Sequence, residues 1–370
     1  MHPSSSPNRA CAVVSGPESA HDRCGVPNVV PRKLPLGRCG TLGQEVAVSA
    51  MAVNVPNLPL VIEPDGTIPD DPARWAGSHR DEIASGLHRT GAVLLRGLAI
   101  STPDAFRAVA AAISPDLRNY VGGDSPRTDV ADQVYTSTEY PAHLEVFLHN
   151  ELSYAGWSPD TVFFCCLVPA ESGGETQIAD GREIHRRLDA PVRERFAARG
   201  VTYLQHLWDA GDRPGIGKSW QETFETADRD EVEAYLRESN MDFEWTDLGL
   251  RTAATHPAVL EHPVTGERCW HNQADQWHRD MAGVKVSFGG GDDPRIDPLT
   301  AGVEMLGNHV TYGDGSEIDV DDLLHVRAVS QECEVTFPWQ AGDVLVIDNI
   351  MVMHGRKPFT GPRRVLVAMA

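Results

Sequence analysis

Short apolar runs recur along most of the chain, and they predict strands more often than helices. Continuous apolar runs bounded by glycine or other turn residues predict buried strands at 91–97, 161–168 and 343–348. Shorter runs predict further strands at 242–245, 253–260, 334–338 and 364–368. Helical spacing predicts helices at 75–88, 102–112, 182–199 (two short helices split by Pro191) and 320–331. The pattern indicates a mainly β fold with flanking helices, of the α+β class.

The first 50 residues differ from the rest of the chain. They are rich in Ser, Pro, Gly and Arg, lack aromatic residues and show no periodicity, so residues 1–57 are predicted to be a disordered extension. No internal repeat or second linker follows, and residues 58–370 are predicted to form one domain. We find no apolar segment typical of a secretory signal and no apolar run of the roughly 18–20 residues that span a bilayer. A cytoplasmic location is therefore expected.

The net charge and the cysteine spacing argue against several classes of partner and of cysteine site. The chain has 32 Lys and Arg against 53 Asp and Glu, a formal net charge of −21. This balance argues against nucleic acid or an anionic membrane as a partner, because both require a basic surface. An anionic small-molecule substrate would instead be bound by a few placed arginines. The seven cysteines show no CxxC and no regular spacing, so neither a zinc ribbon nor a disulfide framework is predicted.

An imidazole and a carboxylate lie two residues apart at the end of an apolar run near the middle of the chain. If this run is a strand, His149 and Glu151 project from the same face, because residues i and i+2 of a strand share a face. One nitrogen and one oxygen ligand are two-thirds of the 2-His-1-carboxylate triad of non-haem Fe(II) oxygenases. Taken alone, the pair is equally compatible with an ordinary polar strand end, since motifs this short recur by chance.

A second histidine with a suggestive context lies near the C-terminus. His354 ends the hydrophobic run 342–354, a turn follows, and the pair Arg363 and Arg364 opens the last apolar run. Two adjacent antiparallel strands would bring this basic pair close to the histidine. A 2-oxo acid that chelates iron needs a cation for its distal carboxylate, and arginine binds carboxylates bidentately. The residues thus predict three metal ligands and a carboxylate anchor.

These motifs, in this order, resemble the Fe(II)/2-oxoglutarate-dependent oxygenases of the TauD/TfdA superfamily, and within it the syringomycin-biosynthesis-type (SyrP-like) hydroxylases. The resemblance extends from about residue 58 to residue 370 and includes 91–97, 135–141, 149–154, 169–176 and 354–364. It implies a double-stranded β-helix, or jelly roll, and the use of Fe(II), 2-oxoglutarate and O2. It also implies hydroxylation of an unactivated C–H bond in an amino-acid-like substrate, free or tethered to a carrier protein, in a natural-product pathway.

The resemblance also assigns roles to individual residues. It implies that the iron ligands are His149, Glu151 and His354. Thr176 matches the family threonine that hydrogen-bonds 2-oxoglutarate, and Arg364 matches the arginine that holds its distal carboxylate. Strand alternation then turns Arg363 to the opposite face, although this register could be off by one residue. Residues 348–349 match a dipeptide that supports the site. Many members have Asp where this chain has Glu151, and related halogenases have a small residue there, so Glu151 argues against halogenation.

Substrate recognition is less well defined by the sequence. We expect substrate contacts from Arg127, Thr136, Trp270 and Asn272, although Trp270 and Asn272 are equally compatible with a simple strand and turn. His271 and His278 are not expected to be iron ligands, because the triad is already filled. A nucleotide, sulfonate or phosphonate substrate, a desaturation or cyclisation outcome, and a metal-free jelly-roll binding protein are the alternatives. A homo-oligomer is also compatible with the sequence.

Overall fold

The computed structural model describes residues 58–211, 218–281 and 307–370. The strands are β1 Leu60–Ile62, β2 Ala92–Leu95, β3 Asp129–Ala131, β4 Val134–Thr136, β5 Val146–His149, β6 Thr161–Val168, β7 Ser172–Gly173, β8 Ile178–Asp180, β9 Val201–Trp208, β10 Asp242–Thr246, β11 Gly249–His256, β12 Val259–Glu261, β13 Arg268–Trp270, β14 Asn308–Tyr312, β15 Glu334–Val335, β16 Val344–Asp348, β17 Val352–Arg356, β18 Phe359–Thr360 and β19 Arg364–Met369. The α-helices are α1 Pro72–Ser78, α2 Arg80–Thr90, α3 Pro103–Ile113, α4 Gly181–Arg187, α5 Ala190–Arg199, α6 Trp220–Phe224, α7 Arg229–Glu238, α8 Ala274–Trp277 and α9 Val320–Glu332.

Two sheets form the jelly roll. The larger has seven strands in the order β1-β2-β16-β6-β19-β4-β3, and the smaller has four in the order β15-β8-β17-β5. Their facing side chains belong to one buried cluster, which includes Phe164 and Val367 from the large sheet and Leu148, Ile178 and Met353 from the small sheet. Burial of these apolar faces holds the sheets together, since removal of apolar surface from water is the main favourable term in folding. The layered arrangement is the double-stranded β-helix that the sequence resemblance implied.

Helices α1 to α3 cover the outer face of the large sheet. Ile83 and Phe106 from these helices pack with Val93, Phe163 and Val346 in a second buried cluster. The two faces of β6 therefore contribute to different cores, which explains its continuous apolar sequence. The neighbouring thiols of Cys165 and Cys166 point into the outer and inner clusters respectively. Both cysteines are free and buried.

Local sequence signals set the ends of these helices. The Thr102 side chain accepts a hydrogen bond from the backbone N–H of Ala105 at the start of α3, where Pro103 takes the first helical position. Helix α2 ends at Gly91, which has φ +79° and whose absent side chain leaves room for Val352. The helix predicted at 75–88 is two helices, divided at His79. The His79 ring stacks on Trp75, and its Nδ1 bonds the Trp75 carbonyl oxygen at 2.8 Å.

A third sheet, in the order β10-β11-β9-β14, packs against α6 and α7, and β12 and β13 form a separate hairpin. The run predicted to end at His354 is two strands in different sheets, because residues 349–351 turn the chain from β16 into β17. The predicted extension 1–57 lies outside the described residues. Within the described part of the chain, no helix is long and apolar enough to cross a membrane.

Candidate metal centre

His149 ends β5 beside the strand that carries His354. The two histidines are register partners in the β5–β17 pair, and their ring centroids lie 4.4 Å apart. Nδ1 of His149 lies 2.8 Å from the carbonyl oxygen of Phe147. A carbonyl oxygen only accepts hydrogen bonds, so Nδ1 carries the ring proton and the Nε2 lone pair is left for a ligand. Burial, with the nearby His354 adding to it, lowers the pKa of His149 to about 4, which keeps the ring neutral as metal ligation requires.

Glu151 follows β5 in a tight turn, so the expectation that it shares a strand face with His149 is wrong. The Asn349 side chain fixes this turn. Its Oδ1 accepts from the Glu151 backbone N–H at 2.8 Å, and its Nδ2 donates to the Glu151 carbonyl oxygen at 3.0 Å. The side chain of Asn150 donates from Nδ2 to the Asn349 carbonyl oxygen at 2.7 Å. The neighbouring Asp348 accepts from the backbone N–H of Met351 in the turn to β17. Asn349 therefore supports the turn of Glu151, and Asp348 supports the turn that leads to His354.

The three predicted iron ligands meet at one point. One donor atom from each of His149, Glu151 and His354 can be chosen so that all lie within 4.8 Å of one another. Oε2 of Glu151 is 3.3 Å from Nε2 of His354, and both side chains are buried. Two imidazole nitrogens and one carboxylate oxygen form the donor set of the facial triad, which leaves coordination positions open. The residues present therefore fit an Fe(II) ion.

A buried arginine, Arg127, pairs with the metal-binding carboxylate. Its Nη2 donates to both oxygens of Glu151, at 2.9 and 2.8 Å, and the two side chains are each only 3% exposed. The guanidinium lies over the Tyr120 ring at 4.2 Å. Burial by itself raises the pKa of Glu151, but the Arg127 charge and the His354 contacts outweigh it and hold that pKa well below its usual range. Glu151 is therefore ionised, as a metal ligand must be.

A cavity opens beside these ligands, and it contains one arginine of the C-terminal pair. The described residues that line it include His149, His354, Thr176 and Arg363. Nε of Arg363 donates to the Gly174 carbonyl oxygen at 2.9 Å, and burial, with the nearby Arg356 adding to it, lowers the pKa of Arg363 to about 10.

The prediction that Arg364 faces the cavity is wrong, because Arg364 is exposed at the start of β19. The register of β19 against β6 shifts between Arg364 and Val365. Along β19, Val365, Val367 and Met369 pack in the inner cluster and Leu366 and Ala368 in the outer one, so alternation places Arg363 on the inner side and Arg364 on the outer side.

Thr176 is held at the cavity wall by a contact that the sequence did not indicate. The indole N–H of Trp339 donates to its Oγ1 at 3.1 Å, and both residues are buried. Gly173 and Gly174, with φ +70° and +74°, form the turn before it. A Cβ at Gly173 would lie 2.1 Å from the Pro358 carbonyl oxygen, so this close approach requires glycine.

Three of the four predicted substrate contacts lie elsewhere, and none of these three lines the cavity. Thr136 bonds Glu139 and the Thr128 backbone on the far edge of the large sheet. Trp270 is fully buried against Phe196, and the Asn272 amide donates to the Ala258 carbonyl oxygen at 2.9 Å. For Trp270 and Asn272, the structure therefore supports the alternative of a simple strand and turn. Only Arg127 lies at the cavity.

Neither of the later histidines reaches the triad. Burial lowers the pKa of His271 to about 4, and His271 lies outside both candidate ligand clusters of the described residues. His278 belongs to a separate cluster.

The sequence analysis missed one further cavity residue, Arg356. Its guanidinium donates to four carbonyl oxygens of the loop 138–144, which belong to Thr138, Tyr140, Pro141 and Leu144, at 2.9 to 3.2 Å. Arg356 follows His354 by two residues in β17, so strand periodicity could have identified it. These hydrogen bonds hold the loop 138–144 in place at one wall of the cavity.

Comparison with known proteins identifies the family. Residues 56–369 match the model of the taurine catabolism dioxygenase TauD, TfdA family. The chain is 35% identical over 290 residues to the dapdiamide synthesis protein DdaC of Enterobacter agglomerans, a match that covers 78% of this chain and 84% of that protein. It is 34% identical over 295 residues to the clavaminate synthase-like protein At3g21360 of Arabidopsis thaliana, with 78% and 83% covered.

Among solved structures, an asparagine oxygenase in complex with Fe(II), 2S,3S-3-hydroxyasparagine and succinate matches at a TM-score of 0.46 and 14% identity, with 82% of this chain and 79% of that chain covered. The family match confirms the predicted fold class, and it agrees with the predicted use of Fe(II) and 2-oxoglutarate, as the triad does. The chain belongs to the TauD/TfdA family of dioxygenases.

Proposed function

We propose that this protein is an Fe(II)- and 2-oxoglutarate-dependent oxygenase that hydroxylates an unactivated C–H bond of an amino-acid-like substrate, free or tethered to a carrier protein, in a natural-product pathway. The observation that carries the proposal is the convergence of His149, Glu151 and His354 at a cavity that also contains Thr176 and Arg363. When bound, iron and 2-oxoglutarate together supply an oxidant, made from O2, that breaks such a bond. Every other task falls to side chains of this chain.

The iron ligands are held in place before metal arrives. Asn349 fixes the turn of Glu151, and the Phe147 carbonyl fixes the ring of His149. Arg127 keeps Glu151 ionised and limits its rotation. Such support lowers the cost of ordering the ligands when the ion binds. A carboxylate ligand at position 151 favours oxygenation over halogenation, because it occupies the coordination position that a halide would need.

Arg363 is the proposed anchor for the distal carboxylate of 2-oxoglutarate, and Thr176 is the proposed hydroxyl partner. Nη1 of Arg363 has a single long contact, 3.4 Å, to the Ser137 hydroxyl, so the guanidinium keeps donors for a ligand. Its burial strengthens a charge-assisted bond to a carboxylate, because a low dielectric surrounds the pair. The anchor is therefore assigned to Arg363 rather than to the exposed Arg364.

Support for the substrate class comes from the relatives. One is named for dapdiamide synthesis and the other for its likeness to clavaminate synthase, and each matches more than three-quarters of this chain. The first name favours a natural-product pathway. Membership of the SyrP-like branch is part of the proposal. A carrier-protein partner, a homo-oligomer and a cytoplasmic location belong to the same proposal.

The experiment that tests this proposal measures succinate. The anaerobically purified chain receives Fe(II), 2-oxoglutarate and air in the presence of free amino acids, carrier-loaded amino acids, or nucleotides, sulfonates and phosphonates. We expect substrate-stimulated succinate release with an amino-acid class, a product heavier by one oxygen atom, and neither with His354→Ala. Arg364→Ala, an exposed neighbour of the anchor, serves as the matched control and retains activity. A response to nucleotides, sulfonates or phosphonates alone contradicts the substrate assignment. If none of these compounds stimulates succinate release, the proposed oxygenase activity is contradicted.

A further inference from the structure

A second cluster of two histidines and a carboxylate lies outside the candidate iron centre. His278 follows the last turn of α8, His309 lies in β14, and Glu317 lies in the loop before α9. One donor atom from each can be chosen so that all three lie within 4.8 Å of one another. The cluster shares no residue with the triad at His149, Glu151 and His354.

The distances in this cluster match those of a tetrahedral metal site. Nε2 of His278 is 3.4 Å from Oε2 of Glu317, and Nε2 of His309 is 3.3 Å from the same oxygen. Zinc binds imidazole nitrogen and carboxylate oxygen at about 2.0–2.2 Å, so neighbouring ligands of a tetrahedral ion are separated by about 3.3 Å. An ion placed among the three atoms would therefore require only small side-chain movements.

The Nε2 atoms of the two rings are buried, and among the described residues only Glu317 lies near both. The side chains of His278 and His309 are 2% and 3% exposed, and neither Nε2 has a hydrogen-bond partner among the described residues. A buried polar atom without a partner is unfavourable, and a bound cation would satisfy both nitrogens. Glu317 is 54% exposed, which gives an ion a path from solvent.

Neighbouring residues orient the carboxylate and set the charge. Nη2 of Arg279 lies 3.4 Å from Oε1 of Glu317, which leaves Oε2 to the two rings. Oδ2 of Asp280 lies 3.9 Å from Nδ1 of His278, and Oδ1 of Asp280 lies 3.9 Å from Arg279. Among these described groups the two carboxylates outweigh the one guanidinium, and their net negative charge favours a cation.

The same residues also allow a metal-free arrangement. The backbone N–H groups of Asp280 and Arg279 donate to Nδ1 of His278 and His309 at 3.4 and 3.3 Å. In that tautomer both Nε2 atoms carry protons and direct them towards Glu317. These backbone bonds are long, and metal binding requires that the ring proton move from Nε2 to Nδ1. For His278, the Asp280 carboxylate is the nearby acceptor of that proton.

We propose that His278, His309 and Glu317 bind a divalent cation of the zinc type, with water in the remaining coordination position. The ion joins the end of α8 to β14 and to the loop before α9. Helix α8 also contacts the iron-ligand strand, because the Gln276 amide donates to the Leu148 carbonyl oxygen at 2.7 Å. The site thus supports the wall behind His149. It goes beyond the oxygenase function and does not depend on it.

Zinc binding by the full chain tests the proposal. His354→Ala disables the iron centre, and the protein is dialysed against buffered micromolar free zinc before its metal content is measured. We expect one more zinc per chain in His354→Ala than in His354→Ala/His309→Ala. Replacement of the half-exposed carboxylate in Glu317→Gln weakens zinc binding by at least about 10- to 100-fold, because loss of a direct ligand costs no less than loss of a residue that only supports one. In the same background, His325→Ala, which removes a histidine outside the cluster, leaves the zinc content unchanged.

X-ray absorption at the zinc edge gives an independent readout. The spectrum of the His354→Ala protein is expected to show two imidazole ligands and oxygen ligands at the bound zinc. Circular dichroism is expected to show that the Glu317→Gln variant keeps its fold. Equal zinc content with and without His309 overturns the proposal, and so does a folded Glu317→Gln variant that keeps its zinc affinity. A sulfur-ligated zinc spectrum also overturns it, since the cluster contains no cysteine.

Discussion

Replacing Arg127 with methionine removes the charge partner of a buried carboxylate while keeping an apolar side chain in the space. The two side chains are each 3% exposed, and one guanidinium nitrogen bonds both Glu151 oxygens. Breaking a buried ion pair costs about 3–5 kcal/mol, because the remaining charge is left without a partner. His354 Nε2 stays 3.3 Å from Glu151 and offsets part of that cost. We therefore expect the free energy of unfolding of the metal-free protein to fall by about 3 kcal/mol.

The pH dependence of this loss has a definite sign. In the native protein the pKa of Glu151 is lowered, so the stability contributed by its ion pair is present above the unfolded pKa and is lost as the pH falls through the folded pKa. In Arg127→Met the main remaining influence is burial, which raises the pKa of Glu151. The variant then gains stability as Glu151 becomes protonated in the fold. The difference in unfolding free energy between the two proteins should shrink from pH 7.5 to pH 5.

Urea denaturation of the chelator-treated full chain at both pH values measures this difference. The matched control is Arg107→Met, which removes an exposed ion pair with Asp132, where the side chains are 37% and 72% exposed. An exposed pair contributes about 0–1 kcal/mol, so this variant should unfold close to the native protein. If Arg127→Met loses no more stability than the control, or if its deficit does not change with pH, the assignment of Arg127 as the charge partner of Glu151 is refuted.

Three further variants test other parts of the site. Arg363→Ala should weaken 2-oxoglutarate binding about 10- to 100-fold in isothermal titration with Mn(II), since a charge-assisted bond is lost, whereas Arg364→Ala should leave it unchanged. The reverse order would restore Arg364 as the anchor. Thr176→Val should weaken the same binding about tenfold without changing the stability of the fold by more than about 1 kcal/mol, and unaltered binding would remove Thr176 from the site. Asn349→Ala should lower the unfolding free energy by about 3 kcal/mol, because the turn of Glu151 loses its bonds. It should also reduce the affinity for Mn(II) itself, measured by isothermal titration. Full metal affinity in that variant would contradict the role of the turn.

The sequence predicted the parts of the molecule that local pattern controls. Residues 161–168 form a continuous apolar run and residues 320–331 have helical spacing, and the predicted strand and helix are both present. His149, Glu151 and His354 were identified because their spacing and order carry the family pattern. The structure brings all three together, even though Glu151 lies in a turn rather than on a strand. The identification of these three ligands therefore depended on the order of the motifs and not on the assumed strand geometry.

Other features depend on contacts between residues distant in sequence, which no local pattern records. Arg127 and Glu151 are 24 residues apart, and Trp339 and Thr176 are 163 apart. The choice of Arg363 over Arg364 depends on which face of β19 turns inwards, and only the packing of β19 against the other strands shows that face. These features follow from packing, which the sequence alone does not show.

The central claim is that the triad binds iron together with 2-oxoglutarate. Anaerobic addition of Fe(II) and 2-oxoglutarate to the metal-free chain, followed by visible absorption spectroscopy, tests it most directly. The native protein and Arg364→Ala are expected to develop the weak charge-transfer band of an iron-chelated 2-oxo acid, and His354→Ala is expected to develop none. A folded native protein that gives no band, or a His354→Ala variant that keeps it, would contradict the assignment of His149, Glu151 and His354 as the iron centre.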